Sequence, residues 1–170
     1  ADYIQYDLDG NVVIPAISLV DESLDETNRT SMSVDSYGNA MVFIVENPDD
    51  WLPRYLAVYK IDRDTGELIV DRKIIYWPVD FYTILSPHIL PYTDNSAFHL
   101  LWLEEDPASG YVKLIKSAII DPDGDFIEEP YIAYDYTDED PEALTKLAAC
   151  TNQAGDVFIH YTQYMEQEPY

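Results

Sequence analysis

One short phrase occurs three times in the chain: YDLDGN from Tyr6 to Asn11, KIDRDTGE from Lys60 to Glu67, and IIDPDGD from Ile119 to Asp125. Its glycines, Gly10, Gly66 and Gly124, stand 56 and 58 residues apart. A second phrase alternates with it: SMSVDSYGNAMVFIVEN (Ser31 to Asn47), HILPYTDNSAFHLLWLEE (His88 to Glu105) and KLAACTNQAGDVFIHYTQY (Lys146 to Tyr164). Within these, Gly38, Asn95 and Gly155 fall opposite one another, 57 and 60 residues apart. Three copies of about 57 residues account for the whole chain. A period of that length means one supersecondary unit stacked on the next.

The unit is read from what flanks each phrase. Runs of about 5 to 9 β-branched and aromatic residues lie on either side, bounded by Asp, Asn, Gly and Pro, and these read as strands. The phrases themselves are hairpin turns: Asp-Gly and Asn-Gly pairs supply positive φ, and the Asp side chain caps nearby amides. PEALTKLAA (Pro141 to Ala149) reads by register as a strand, with room for a helical turn at its start.

Four antiparallel strands per unit, repeated in tandem, describe β-propeller-type blades, with strands A to D counted outward from the axis. The expected fold is all-β, one domain or fragment over residues 1–170. Blade one is 30–76 and blade two is 84–134. A third blade is split between the termini, a C–D hairpin at 1–20 and an A–B hairpin at 145–164. Three blades are too few for a ring, which takes about 4 to 8. The chain is therefore a partial propeller or half of a six-bladed ring.

The alternation of SVDSYGN with KIDRDTGE resembles the tandem repeats of sialidase-like, Asp-box-like β-propellers of secreted or cell-surface proteins. The resemblance covers the whole chain and implies a propeller fold in an extracellular or cell-surface setting. The chain departs from the catalytic members in two places. Arg29, Arg54, Arg63 and Arg72 are its only arginines and show no match to the triad that holds a substrate carboxylate. SVDSYGN (Ser33 to Asn39) has one residue more before Gly38 than S-x-D-x-G-x-T-W, and no Trp after it. On that ground the chain is expected to be no enzyme, and no catalytic residue is nominated.

Charge narrows the partners. The 33 acidic and 9 basic residues give a net charge of −24. Nucleic acid and anionic membranes both require Lys/Arg clusters, so they are poor partners, and no nucleic-acid partner is expected. No apolar run approaches the roughly 20 residues that cross a bilayer. No basic segment followed by an apolar one opens the sequence, so any signal peptide is expected to be already removed. Cys150, in LAAC, is expected to be a buried structural thiol.

In a blade array the A–B and C–D turns share one face, and the longer B–C and D–A loops share the other. Here the longer loops are rich in acid, Glu104 included, and in aromatics. They nominate a binding face, since function sits on loops held by a rigid scaffold. Trp51, Trp77 and Tyr82 would stack on sugar rings or anchor a protein, with Asp50, Asp80 and Glu105 hydrogen-bonding hydroxyls or basic groups. DLDGN, DRDTGE and DPDGD also resemble the opening of calcium loops. Asp7, Asp9, Asp62, Asp64, Asp121 and Asp123 are accordingly candidates for weak Ca²⁺ binding, with no other cofactor expected.

The reading is a non-catalytic extracellular or cell-surface scaffold or binding module for protein or carbohydrate. One alternative is a self-assembling surface or filament subunit that satisfies its strand edges with neighbours. Another is a fragment of a sialidase-like glycoside hydrolase.

Overall fold

The structure, a computed structural model, describes residues 2–19, 29–47, 54–78, 83–106, 111–135 and 143–164. These form twelve strands: β1 (Asp2–Tyr6), β2 (Val12–Ser18), β3 (Arg29–Val34), β4 (Ala40–Glu46), β5 (Tyr55–Ile61), β6 (Leu68–Tyr76), β7 (Thr83–Pro91), β8 (Phe98–Asp106), β9 (Tyr111–Ile120), β10 (Phe126–Asp135), β11 (Ala143–Thr151) and β12 (Val157–Tyr164). No helix occurs among the described residues, so none there crosses a membrane as a helix. Residues 143–149, the one stretch with room for a helical turn, are strand.

Two antiparallel sheets carry four strands each, in the orders β3-β4-β5-β6 and β7-β8-β9-β10. They are meanders, as the repeat predicts. The terminal hairpins, β1-β2 and β11-β12, are two separate two-stranded sheets.

The sheets stack in layers, and the side-chain alternation shows their order. Along β4, Met41, Phe43 and Val45 pack with Ile84, Ile89, Phe98, Leu100 and Trp102 of the second blade. The intervening Val42 and Ile44 pack the other way, with Tyr55, Ala57, Tyr59, Ile61, Leu19 and, from the first hairpin, Tyr3 and Ile17. On the far side of the second blade, Leu101, Leu103 and Ile115 meet Leu147, Ala149 and Val157 of the last hairpin. The layers therefore run β1-β2, blade one, blade two, β11-β12. Strands β4 and β5 are buried on both faces, which is why AMVFIV and YLAVY read as unbroken apolar runs without alternation.

The innermost strands line up side by side: β3 packs next to β7, and β7 next to β11. Side chains stitch them together. The Ile89 amide donates to Ser31 Oγ at 3.2 Å, His88 Nε2 lies 2.9 Å from the Leu147 carbonyl oxygen, and Thr93 Oγ1 donates to the Gln153 carbonyl at 3.3 Å.

One turn of blade one is pressed by the first hairpin. Gly66 has φ +75°, and a Cβ there would stand 2.6 Å from Ile14 Cγ2. Gly10 has φ +84° with nothing within 4 Å of such a Cβ. A left-handed backbone costs a non-glycine residue about 1–2 kcal/mol. Gly10→Ala is expected to lose that much, and Gly66→Ala clearly more, because Ile14 must move as well. Urea unfolding of the two variants checks this; equal losses would mean that the hairpin does not bear on the turn.

Candidate functional site

The ends of β4, β5 and β6 meet on the loop face. Glu46 closes β4 directly opposite Tyr55, the first residue of β5, and Trp77 follows the end of β6. The Trp77 ring stacks on Tyr55 with centroids 5.0 Å apart and planes 17° from parallel. Tyr55 is buried, whereas Trp77 keeps 46% of its surface exposed. The result is an aromatic platform held from below and open to solvent.

Beneath the platform lies a buried charge. Glu46 is fully buried. Its carboxylate accepts from Tyr59 Oη at 2.5 Å and from Arg72 Nε at 3.1 Å. Arg72 also donates to the Tyr55 hydroxyl and sits 5.7 Å from that ring's centroid, in cation–π range. Arg72 stands in a bulge of β6, where the register with β5 slips, and takes φ +42°. A bulge re-aims a side chain without ending the strand. Burial first, and then the hydrogen bond and charge of Glu46, push the Tyr59 phenol far above its ordinary pKa; burial and Glu46 raise Tyr55 too. Both hydroxyls stay protonated and available as donors.

The second blade repeats the device with other residues. Glu104, 58 positions after Glu46, occupies the same place in β8 and is buried. Trp102 Nε1 donates to it at 3.1 Å, and Lys116 Nζ lies 3.8 Å away. Tyr76 packs against Trp102 with ring centroids 5.0 Å apart and planes tilted by 50°, and burial followed by Glu104 raises its phenol pKa. The expectation that Glu104 belongs to the acid-rich loops is therefore corrected: it lies in β8, whose strand runs on from the interblade core and carries the carboxylate into a buried place.

Of the other nominated residues, Glu105 lies half-buried on the loop face. There Arg29 is desolvated by burial, opposed by the charge of Arg54 and favoured by that of Glu105. Trp51, Tyr82, Asp50 and Asp80 lie outside the described residues. The structure thus joins Trp77 to Tyr55, Tyr59, Arg72 and Glu46, none of which the sequence reading nominated. The available signal was a Glu closing the apolar runs AMVFIVE and FHLLWLEE at the repeat spacing.

On the opposite face the calcium candidates have work within their own turns. Asp7 Oδ1 accepts from the amides of Asp9 and Asn11 at 2.9 and 2.8 Å, and Asp121 Oδ1 accepts from those of Asp123 and Asp125, both at 2.9 Å. Asp62 accepts from the Asp64 and Thr65 amides at 2.9 and 2.8 Å. The Asn11 side chain and amide hold Asp7 below the ordinary carboxyl pKa, and the Thr65 and Asp64 amides do the same for Asp62. Asp64 pairs with Arg63 at 3.2 Å and Asp123 with Lys60 at 3.4 Å; Asp9 is exposed. Among the described residues, no three His, Cys, Asp or Glu side chains gather where they could hold one metal ion.

Cys150 is exposed, which corrects its expected burial. Leu147 and Ala149 face the second blade, and the strand's alternation turns Cys150 to the outer side of the last hairpin. It lines a shallow hollow there with Ala148, Phe158 and His160.

No protein-family model matches the chain, and no curated protein matches it. Among solved structures it is similar to an endo-arabinase from Bacteroides thetaiotaomicron VPI-5482, with a TM-score of 0.53 and 13% identity over 86% of this chain. The match covers 56% of that enzyme's chain, so this chain spans little more than half its length. The likeness is one of fold, and together with the four-stranded antiparallel sheets it supports the propeller-type architecture. It also overturns the expectation that the chain is no enzyme. The fold it shares belongs to an enzyme, and a missing arginine triad speaks only against one chemistry.

Proposed function

We propose that the loop face binds carbohydrate. The observation that carries this reading is the Trp77 platform, a half-exposed indole fixed by stacking on buried Tyr55. A flat apolar ring suits the C–H face of a sugar, and charged groups of the same face such as Glu105 and Arg54 would order its hydroxyls. Pre-ordering matters energetically. A ring already immobilised loses little rotamer entropy when a ligand lands on it, at about 0.5–1.5 kcal/mol for each side chain so spared. Similarity of fold to an endo-arabinase is in keeping with a glycan ligand.

A glycan array with titration of the hits, arabinans included, tests the proposal. Wild-type protein is expected to bind at least one glycan, and Trp77→Ala to weaken that binding tenfold or more while the fold persists by circular dichroism. Binding that survives Trp77→Ala, or an empty array, would overturn it. New reducing ends released from a bound glycan would make the face an active site as well. An acidic glycan-binding chain suits an extracellular or cell-surface setting; labelling intact source cells with a membrane-impermeant reagent checks that.

A further inference from the structure

The terminal hairpins are complementary halves of one blade, and we infer that a second copy of this chain joins them, β12 of one copy pairing with β1 of the other. In the full blades, strands B and C lie at the centre: β4 pairs with β5 and β8 with β9. By repeat position β12 is a B strand and β1 a C strand. Among the described residues each pairs only with its hairpin partner, β11 or β2.

Among the described residues the two halves do not meet. They occupy opposite ends of the layered stack, three intersheet steps of about 10 Å apart.

The choice of a second copy rests on three observations. First, edge strands in natural proteins are guarded by charge, proline or bulges. The outer strands here obey that rule: β6 carries Asp71, Arg72 and Lys73, β10 carries Glu128, Glu129 and Pro130, and β2 carries Pro15. Strands β1 and β12 do not. In a chain of net charge −24 their sequences are DYIQY and VFIHYTQY, with one acid between them. Second, apolar side chains stand exposed on both hairpins: Ile4 and Tyr6 on β1, Phe158 and Ile159 on β12. Third, the innermost strands show the same complementarity. Met32 and Val34 of β3 are exposed at one end of the stack, and Cys150 of β11 at the other. The side-by-side packing of β3 on β7 and β7 on β11 would continue from β11 of one copy to β3 of the next. Two copies joined at both ends make six blades, within the range that closes a ring.

The register follows from the repeat. Ala40 pairs with Ile61 and Phe98 with Ile120, so Val157 falls opposite Tyr6 and Ile159 opposite Ile4. Facing residues of an antiparallel pair stand within disulfide reach. The test is Ile4→Cys with Ile159→Cys in a Cys150→Ser background, oxidised and mapped by mass spectrometry. The expected product is an interchain disulfide joining positions 4 and 159, at twice the 19.5 kDa chain mass, with neither single cysteine giving it. Light scattering of the wild type should give the same doubled mass, lost in Ile4→Lys with Ile159→Lys. An intrachain link, or a wild type that stays monomeric at tens of micromolar, would overturn the proposal. Neither readout involves glycan, so it stands or falls apart from the loop-face reading.

Discussion

Trp102→Ala is expected to cost about 3–5 kcal/mol, the range for removing a large buried aromatic. Trp102 is 1% exposed, at the centre of the cluster that joins the two full blades. Two effects add. The ring's loss leaves Phe43, Leu100 and Tyr76 facing a void that close-packed strands cannot fill. Its indole N–H is also a donor to buried Glu104, which then keeps Tyr76 and, at 3.8 Å, Lys116. Trp102→Phe separates the effects. It retains most of the ring and deletes the donor, so the loss should fall to about 1.5–3 kcal/mol, the contribution of a hydrogen bond to a charged group. Denaturant unfolding followed by circular dichroism gives both numbers. A domain of ordinary stability, about 5–15 kcal/mol, is left marginal by the alanine change. Equal losses for Phe and Ala would mean the ring's packing does not hold the blades together; an Ala loss under 1 kcal/mol would deny the interblade core altogether.

How far the sequence reveals this molecule depends on which interactions are local. The hairpin turns are: Asp or Asn caps its own turn amides, and glycine, or Asn95 with φ +54°, takes the left-handed position, so the signal lies within five or six residues. Repeated at an even spacing, it was enough to place the strands and their grouping in fours. The buried carboxylates were harder to see, because nothing near Glu46 in sequence sets it apart from Asp49 and Asp50, which follow it. Its partners, Tyr59 and Arg72, come from the next two strands, and Arg72 reaches it only through a bulge. The exposed Cys150 was misread for a similar reason. LAAC is apolar and looks like core, but among the described residues β11 has a neighbouring blade on one side only. Trp77 was legible as an aromatic in a loop, whereas its support by Tyr55 depends on β5 lying beside β6. The loops that would complete the face, with Trp51 and Tyr82, lie outside the described residues.

Arg72→Met is expected to cost about 3 kcal/mol, because it strands the Glu46 carboxylate. Removing one partner of a buried pair costs about 3–5 kcal/mol. The lower end applies here, since the Arg72 side chain is 40% exposed and water screens part of the interaction. The remaining donors to Glu46 are the Tyr59 and Tyr55 hydroxyls. Glu46→Gln added to Arg72→Met removes the charge while keeping acceptors for both tyrosines, and should restore most of the loss. Arg72→Gly supplies the last comparison. It loses the same cation but relaxes the left-handed backbone, so it should be more stable than Arg72→Met by about 1 kcal/mol. If the double variant is no better than Arg72→Met, Glu46 is not the group that Arg72 neutralises. Trp77 would then rest on packing against Tyr55 alone, without the ion pair beneath it.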